Sequence, residues 1–173
     1  MLISLALVCE DGRELYLVNS DADLTECNDW VKKNVIPQLP PKDARREVTW
    51  NGEMRGQQHT TGCAVWVPHS SIETAVRMFV GGDPAPEIWA YYADYDWVLF
   101  CQLFGAMVNL PQNFPMMCLD LQQYAIHLEI RKPLKQIVPM PKGEHDALCD
   151  AHWNSRVHRY LMEEQVARWV RRG

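Results

Sequence analysis

Short apolar runs alternate with polar breaks along the chain, and the first run is the least interrupted. Leu2-Ile3-Ser4-Leu5-Ala6-Leu7-Val8-Cys9 is apolar at nearly every position, the pattern of a strand buried on both faces. Asp11-Gly12 follows as a hairpin turn, and Glu14-Leu15-Tyr16-Leu17-Val18-Asn19 supplies the partner strand. Leu24 to Val35 then reads as a short helix with Trp30, Val31 and Val35 on one side, ended by Pro37, Pro40 and Pro41. Residues 43–68 carry no clear period. Glu47-Val48-Thr49-Trp50 and Cys63-Ala64-Val65-Trp66-Val67 are readable as strands of a side hairpin across Asn51-Gly52, or equally as an irregular insertion.

Helical period returns after residue 68. Ser70 or Ser71 stands where a cap is needed, Ile72, Ala75, Val76 and Phe79 form the apolar stripe, and Gly81-Gly82 ends the helix. Pro86 to Ala93 has strand composition and feeds a helix opening at Asp94 or Asp96, with Val98, Leu99, Leu103 and Phe104 inward. Met117 to His127 reads as another helix, and Pro133 to Pro141 as a connecting loop. A long amphipathic helix runs from Asp146 towards Arg168, with a basic end at Arg168, Arg171 and Arg172 that reads as a solvated terminus. Antiparallel strands first and strand–helix alternation later predict an α/β fold, a mixed sheet flanked by helices. One domain over 1–173 is expected, with an insertion at 43–68.

Composition changes this picture little. A formal charge of −5 argues against a general electrostatic grip on long nucleic acid. It leaves room for an enzyme acting on chain ends, because divalent metals neutralise phosphate at such a site. The six cysteines are scattered, with no CxxC pair, which predicts free thiols in a reducing compartment, the cytoplasm. Leu2 to Val8 is too short to span a bilayer and lacks a basic leader, so no membrane association is expected.

The candidate chemistry gathers at two helix entrances. Asp146 has the residue type of an N-cap, which leaves His145 just outside the last helix and Asp150 one turn inside it. An imidazole beside a fixed carboxylate suits metal-assisted hydrolysis, with Asp150 as ligand and His145 as general base. Upstream, Trp89-Ala90-Tyr91-Tyr92-Ala93-Asp94-Tyr95-Asp96-Trp97 lies where a strand's C-terminal edge feeds a helix, the usual location of ligand sites in open α/β sheets. Asp96 is the candidate ligand there and Asp94 its competitor. Hard Mg²⁺ or Mn²⁺ prefers such carboxylate oxygen. Tyr92, Tyr95, Trp97 and Trp66 are able to stack a terminal base, although core packing is the simpler reading of each. His59 with Cys63 is half a zinc site, and His69, His127, His152 and His158 read as surface or helix-face histidines.

The string His145-Asp146-Ala147-Leu148-Cys149-Asp150-Ala151 resembles the third motif of the DEDDh 3′–5′ exonucleases of the RNase H-like superfamily, and Tyr95-Asp96 resembles the aromatic-Asp pair of the second. Many relatives carry Asn where this chain has Tyr92. Similarity to a compact bacterial and phage exoribonuclease branch extends through the Glu10-Asp11-Gly12-Arg13-Glu14 hairpin, Ile36 to Pro41, and Cys101-Gln102-Leu103-Phe104-Gly105. It covers most of the chain except 43–68. The resemblance implies an RNase H-like fold and a two-metal centre holding Mg²⁺ or Mn²⁺. It also implies 3′–5′ hydrolysis of single-stranded nucleic acid, RNA above DNA, and a homodimer.

The family's first motif, an Asp-x-Glu on the first strand, has no counterpart. Glu10 and Asp11 lie at the hairpin turn, a whole strand too late, so the fold is expected to lack its first strand and half of the metal site. Two explanations stand. Either the protein carries about fifteen further residues upstream with the missing motif, or the chain is a nuclease fold that binds or supports without hydrolysing. The retained trio of Asp96, His145 and Asp150 favours the first.

Overall fold

The computed structural model describes residues 1–51 and 58–172. Strands β1 (Ser4–Val8) and β2 (Glu14–Asn19) form the expected antiparallel hairpin, with Ser4 opposite Val18 and Val8 opposite Glu14. Gly12 turns it at φ +87°, a conformation open to a residue without Cβ, and its amide donates to the Cys9 carbonyl (3.1 Å).

The single helix expected over Leu24 to Val35 is divided. Helix α1 spans only Asp29–Asn34, between 3-10 turns at Leu24–Glu26 and Ile36–Gln38. Two caps make the division: Asp23 accepts from the Thr25 amide and Asn28 from the Val31 amide, each at 2.9 Å. Trp30 is 55% exposed, against the inward position that its spacing predicts.

In the insertion the hairpin reading holds with other boundaries. Strand β3 (Arg45–Asn51) pairs antiparallel with β4 (Gln58–Ala64), Arg45 opposite Ala64 and Asn51 opposite Gln58. The turn expected at Asn51-Gly52 falls largely on residues outside the described ones. Cys63 to Val67 is not one strand. Cys63 and Ala64 end β4, the Val65 amide donates to the Ala44 carbonyl while its carbonyl accepts from the Val18 amide, and β5 (Trp66–Val67) then runs parallel to β2.

Helix α2 (His69–Val80) buries Ile72, Val76 and Phe79 as expected, but neither serine caps it. The His69 amide donates instead to Asp21 Oδ2 (2.9 Å). The strand expected over Pro86 to Ala93 shrinks to β6 (Trp89–Ala90), followed by α3 (Ala93–Gln102). The helix expected from Met117 starts later. Leu119–Asp120 is β7, parallel to β6, and Asp120 caps α4 (Leu121–His127) by accepting from the Gln123 amide (2.7 Å). A short helix α5 (Leu134–Ile137) interrupts the Pro-rich connection before α6 (Ala147–Arg172).

The architecture is mixed α/β; among the described residues the strands form three small sheets, β1-β2-β5, β3-β4 and β6-β7, where one mixed sheet, with or without a side hairpin, was expected. Among the described residues no strand pairs with the outer edge of β1, and its residues are half-buried while those of β2 are almost all buried. Helix α6 joins the pieces by packing on β1, β6 and α4. Period-two alternation divides β2 between two apolar clusters. Leu15 and Leu17 meet Trp50, Ile72, Phe79 and Phe100, whereas Tyr16 and Val18 meet Val65 and Leu148 of α6. A third cluster packs Trp153, Val157 and Leu161 of α6 against α4.

Candidate active site

The entrance to α6 is built from a turn. Gly143 sits at φ +109°, its carbonyl accepts from the Asp146 amide (3.0 Å), and a Cβ on it would meet Cys149 Sγ at 3.0 Å. Asp146 is the predicted cap: Oδ1 accepts from the Cys149 amide (2.9 Å) and its carbonyl from the Asp150 amide (2.9 Å). Its other oxygen accepts from the Tyr16 hydroxyl (3.0 Å), so one carboxylate ties α6 to β2. His145 stands just outside the helix, as the cap predicts, with a left-handed backbone at φ +76°. Its amide donates to Asp150 Oδ1 (3.4 Å), and its ring meets Trp30 of α1 edge-on with centroids 4.8 Å apart.

Asp150 is half-buried, and that burial pushes its carboxyl above the ordinary range. The His145 amide and ring oppose the shift, while the charges of Glu144 and Asp146 add to it. The carboxylate therefore sits where a cation would offset an electrostatic cost.

The entrance to α3 is made differently from the prediction. Neither Asp94 nor Asp96 caps it. The helix opens at Ala93, whose amide donates to Asp120 Oδ2 on β7 (2.7 Å), behind a left-handed Tyr92 at φ +55°. Asp96 lies in the first turn and is exposed; the surrounding chain still excludes enough water to push its carboxyl up, a modest effect at so open a position. It lies close enough to Cys118 that, after burial and Asp120, its charge helps to push that thiol up to about 12.

Tyr92 and Tyr95 are 63% and 86% exposed, so core packing does not describe them. Trp97 is half-buried and stacks on Phe100, centroids 5.2 Å apart, and its buried N–H has no acceptor among the described residues. Trp66 is also half-buried and donates to the Pro40 carbonyl (3.0 Å). The two entrances meet through Tyr91, whose ring lies edge-on to Trp153, one turn beyond Asp150, at 5.0 Å. Tyr16, Trp30, Tyr91 and Asp120 are the supporting residues that sequence reasoning missed. Asp120 alone had a local signal, a short carboxylate three residues before Gln123 at a helix start.

The oxygen donors of Asp96 and Asp150 fit the chemistry of a hard divalent cation. Among the described residues no group of three or more ligating side chains is gathered, at these entrances or at His59 and Cys63. Among the described residues no helix is long and apolar enough to cross a membrane.

No family profile matches the chain. Over 162 residues it is 31% identical to the 3′-5′ exoribonuclease Rv2179c of Mycobacterium tuberculosis strain H37Rv, an alignment covering 92% of this chain and 83% of that protein. A 3′-5′ exoribonuclease of Mycobacterium tuberculosis strain CDC 1551 matches with the same identity and coverage. The chain belongs to this exoribonuclease family.

Proposed function

We propose that the protein is a metal-dependent 3′–5′ exoribonuclease of the DEDDh type, built on an RNase H-like fold. The observation that carries the reading is the pairing of His145 with Asp150 at the α6 entrance, in a chain 31% identical to proteins named 3′-5′ exoribonuclease. Asp150 and Asp96 would hold Mg²⁺ or Mn²⁺ through carboxylate oxygen. The bound cation supplies charge at the scissile phosphate and acidifies water. His145 takes the proton of the attacking water at its imidazole, and Trp30 limits the orientations the ring can adopt. The amide-rich starts of α3 and α6 favour the anionic phosphate. Tyr92, Tyr95 and Trp97 receive terminal bases by stacking.

Two further parts of the reading concern setting. A cytoplasmic location is supported by the six free cysteines. A homodimer is supported by Val166, Trp169 and Val170, an exposed apolar stripe at helical spacing on α6.

Manganese titration calorimetry beside a turnover assay tests the site. Asp150→Asn should abolish both metal binding and RNA hydrolysis. His145→Ala should lower turnover far more than metal binding. Equal loss of both in His145→Ala removes it as the base, and hydrolysis retained in Asp150→Asn refutes the site.

A further inference from the structure

The β3–β4 hairpin and the segment that leads into it carry two cations on the aromatic rings that pack near the α6 entrance. On β3 the alternation that turns Val48 and Trp50 into the core also turns Arg46 inward, since the three share one strand face. Arg46 is nevertheless exposed, because that face runs past the apolar cluster and ends over the Tyr16 ring, with its guanidinium carbon 5.6 Å from the centroid. The hydroxyl of the same tyrosine donates to Asp146, the residue between His145 and Ala147. Lys42 stands in parallel, with Nζ 5.1 Å from the Trp66 ring, and Trp66 packs in the cluster that holds Ala147 and Leu148.

Both cations thus lie on rings of the apolar cluster that also takes in Ala147 and Leu148 at the start of α6. Among the described residues neither Lys42 nor Arg46 pairs with a carboxylate, so both charges are available to an anionic ligand. In a chain of net charge −5, Arg46 thus places an unpaired positive charge one ring away from Asp146, the neighbour of the candidate base.

We propose that Lys42 and Arg46 hold the phosphodiester backbone of single-stranded RNA upstream of the end presented to His145 and Asp150. The inference rests on the exoribonuclease reading and gives the β3–β4 hairpin, with the segment leading into it, a function as an arm that steadies the strand. Exposed cations over aromatic rings suit this task, because the rings orient the charge without neutralising it.

Fluorescence anisotropy with a phosphorothioate-linked ten-nucleotide RNA, which keeps its charge but resists hydrolysis, reads binding apart from turnover. Affinity is measured against salt for the unaltered protein, Lys42→Ala/Arg46→Ala, and a control, Arg159→Ala/Arg171→Ala. The control removes the same charge from exposed positions about 18 and 36 Å further along α6. The log–log salt slope should become shallower by about 1.4 in the first double variant, roughly 0.7 for each lost phosphate contact. The control should leave the slope unchanged, and Arg46→Lys should retain most of it. Circular dichroism melting confirms that each variant folds. A native slope and affinity in the Lys42/Arg46 variant overturns this inference alone, whereas failure of the unaltered protein to bind RNA overturns both it and the exoribonuclease reading.

Discussion

The indole of Trp153 lies edge-on to the ring of Tyr91, with centroids 5.0 Å apart and planes at 82°. This contact ties the segment preceding α3 to the first turns of α6, and so relates Asp96 and Asp150 across more than fifty residues of sequence. Trp153 is 1% exposed, and its N–H donates to the Val138 carbonyl (2.7 Å). Trp153→Ala should cost about 3–5 kcal/mol through the cavity it leaves. Trp153→Phe keeps much of the ring and loses the bond, for about 1–2 kcal/mol. Urea unfolding midpoints check both.

Asp146 serves two bonds at once, as cap of α6 and as acceptor from Tyr16. Asp146→Ala should cost about 2–3 kcal/mol and Tyr16→Phe about 1–2 kcal/mol. Because the hydroxyl bond belongs to both residues, the double variant should be little worse than Asp146→Ala alone. A double-mutant cycle by chemical denaturation measures the shared term; strict additivity would show that the bond contributes nothing.

Burial raises the carboxyl of Asp150 above its unfolded value, so the native state binds its proton more tightly than the unfolded chain. The stabilisation from this difference is fully present below the ordinary carboxylate range and is lost as pH rises through the folded value. Asp150→Asn should therefore stabilise the metal-free protein at pH 7, and this advantage should shrink as the pH is lowered to about 3. Denaturation curves at the two pH values read the difference. Manganese should raise the melting temperature of the unaltered protein and leave that of Asp150→Asn unmoved.

Tyr92 holds a left-handed backbone without being glycine, while its ring is exposed. Such a conformation costs a non-glycine residue about 1–2 kcal/mol. Tyr92→Gly should relieve it, for a gain of about 0.5–1 kcal/mol after the added unfolded-state entropy, and should weaken binding of single-stranded RNA by removing a stacking surface. Greater stability with undiminished RNA affinity would remove Tyr92 from the substrate path.

What the sequence made legible was local. Asp146 capping α6, His145 just outside it and the Gly12 hairpin each follow from chemistry within a few residues. The α3 entrance was misread because Asp94 and Asp96 are both able to cap, while the acceptor is Asp120, reached only once β6 and β7 pair. Trp30 against His145 and Tyr16 against Asp146 join residues more than a hundred positions apart, beyond the reach of any periodicity. The hairpin boundaries were hidden because β4 is polar and exposed over Gln58 to Gly62 and is held by backbone pairing to β3.

We propose that this chain removes nucleotides from the 3′ end of RNA with the carboxylates of Asp96 and Asp150 and the imidazole of His145. The most direct test follows one single-stranded RNA, labelled at its 5′ end in one sample and at its 3′ end in another, with manganese present. The 5′-labelled strand should give a ladder of successively shorter products, and the 3′-labelled one should release its label immediately. Asp150→Asn should lose both. An unshortened strand, or shortening that begins at the 5′ end, would contradict this proposal.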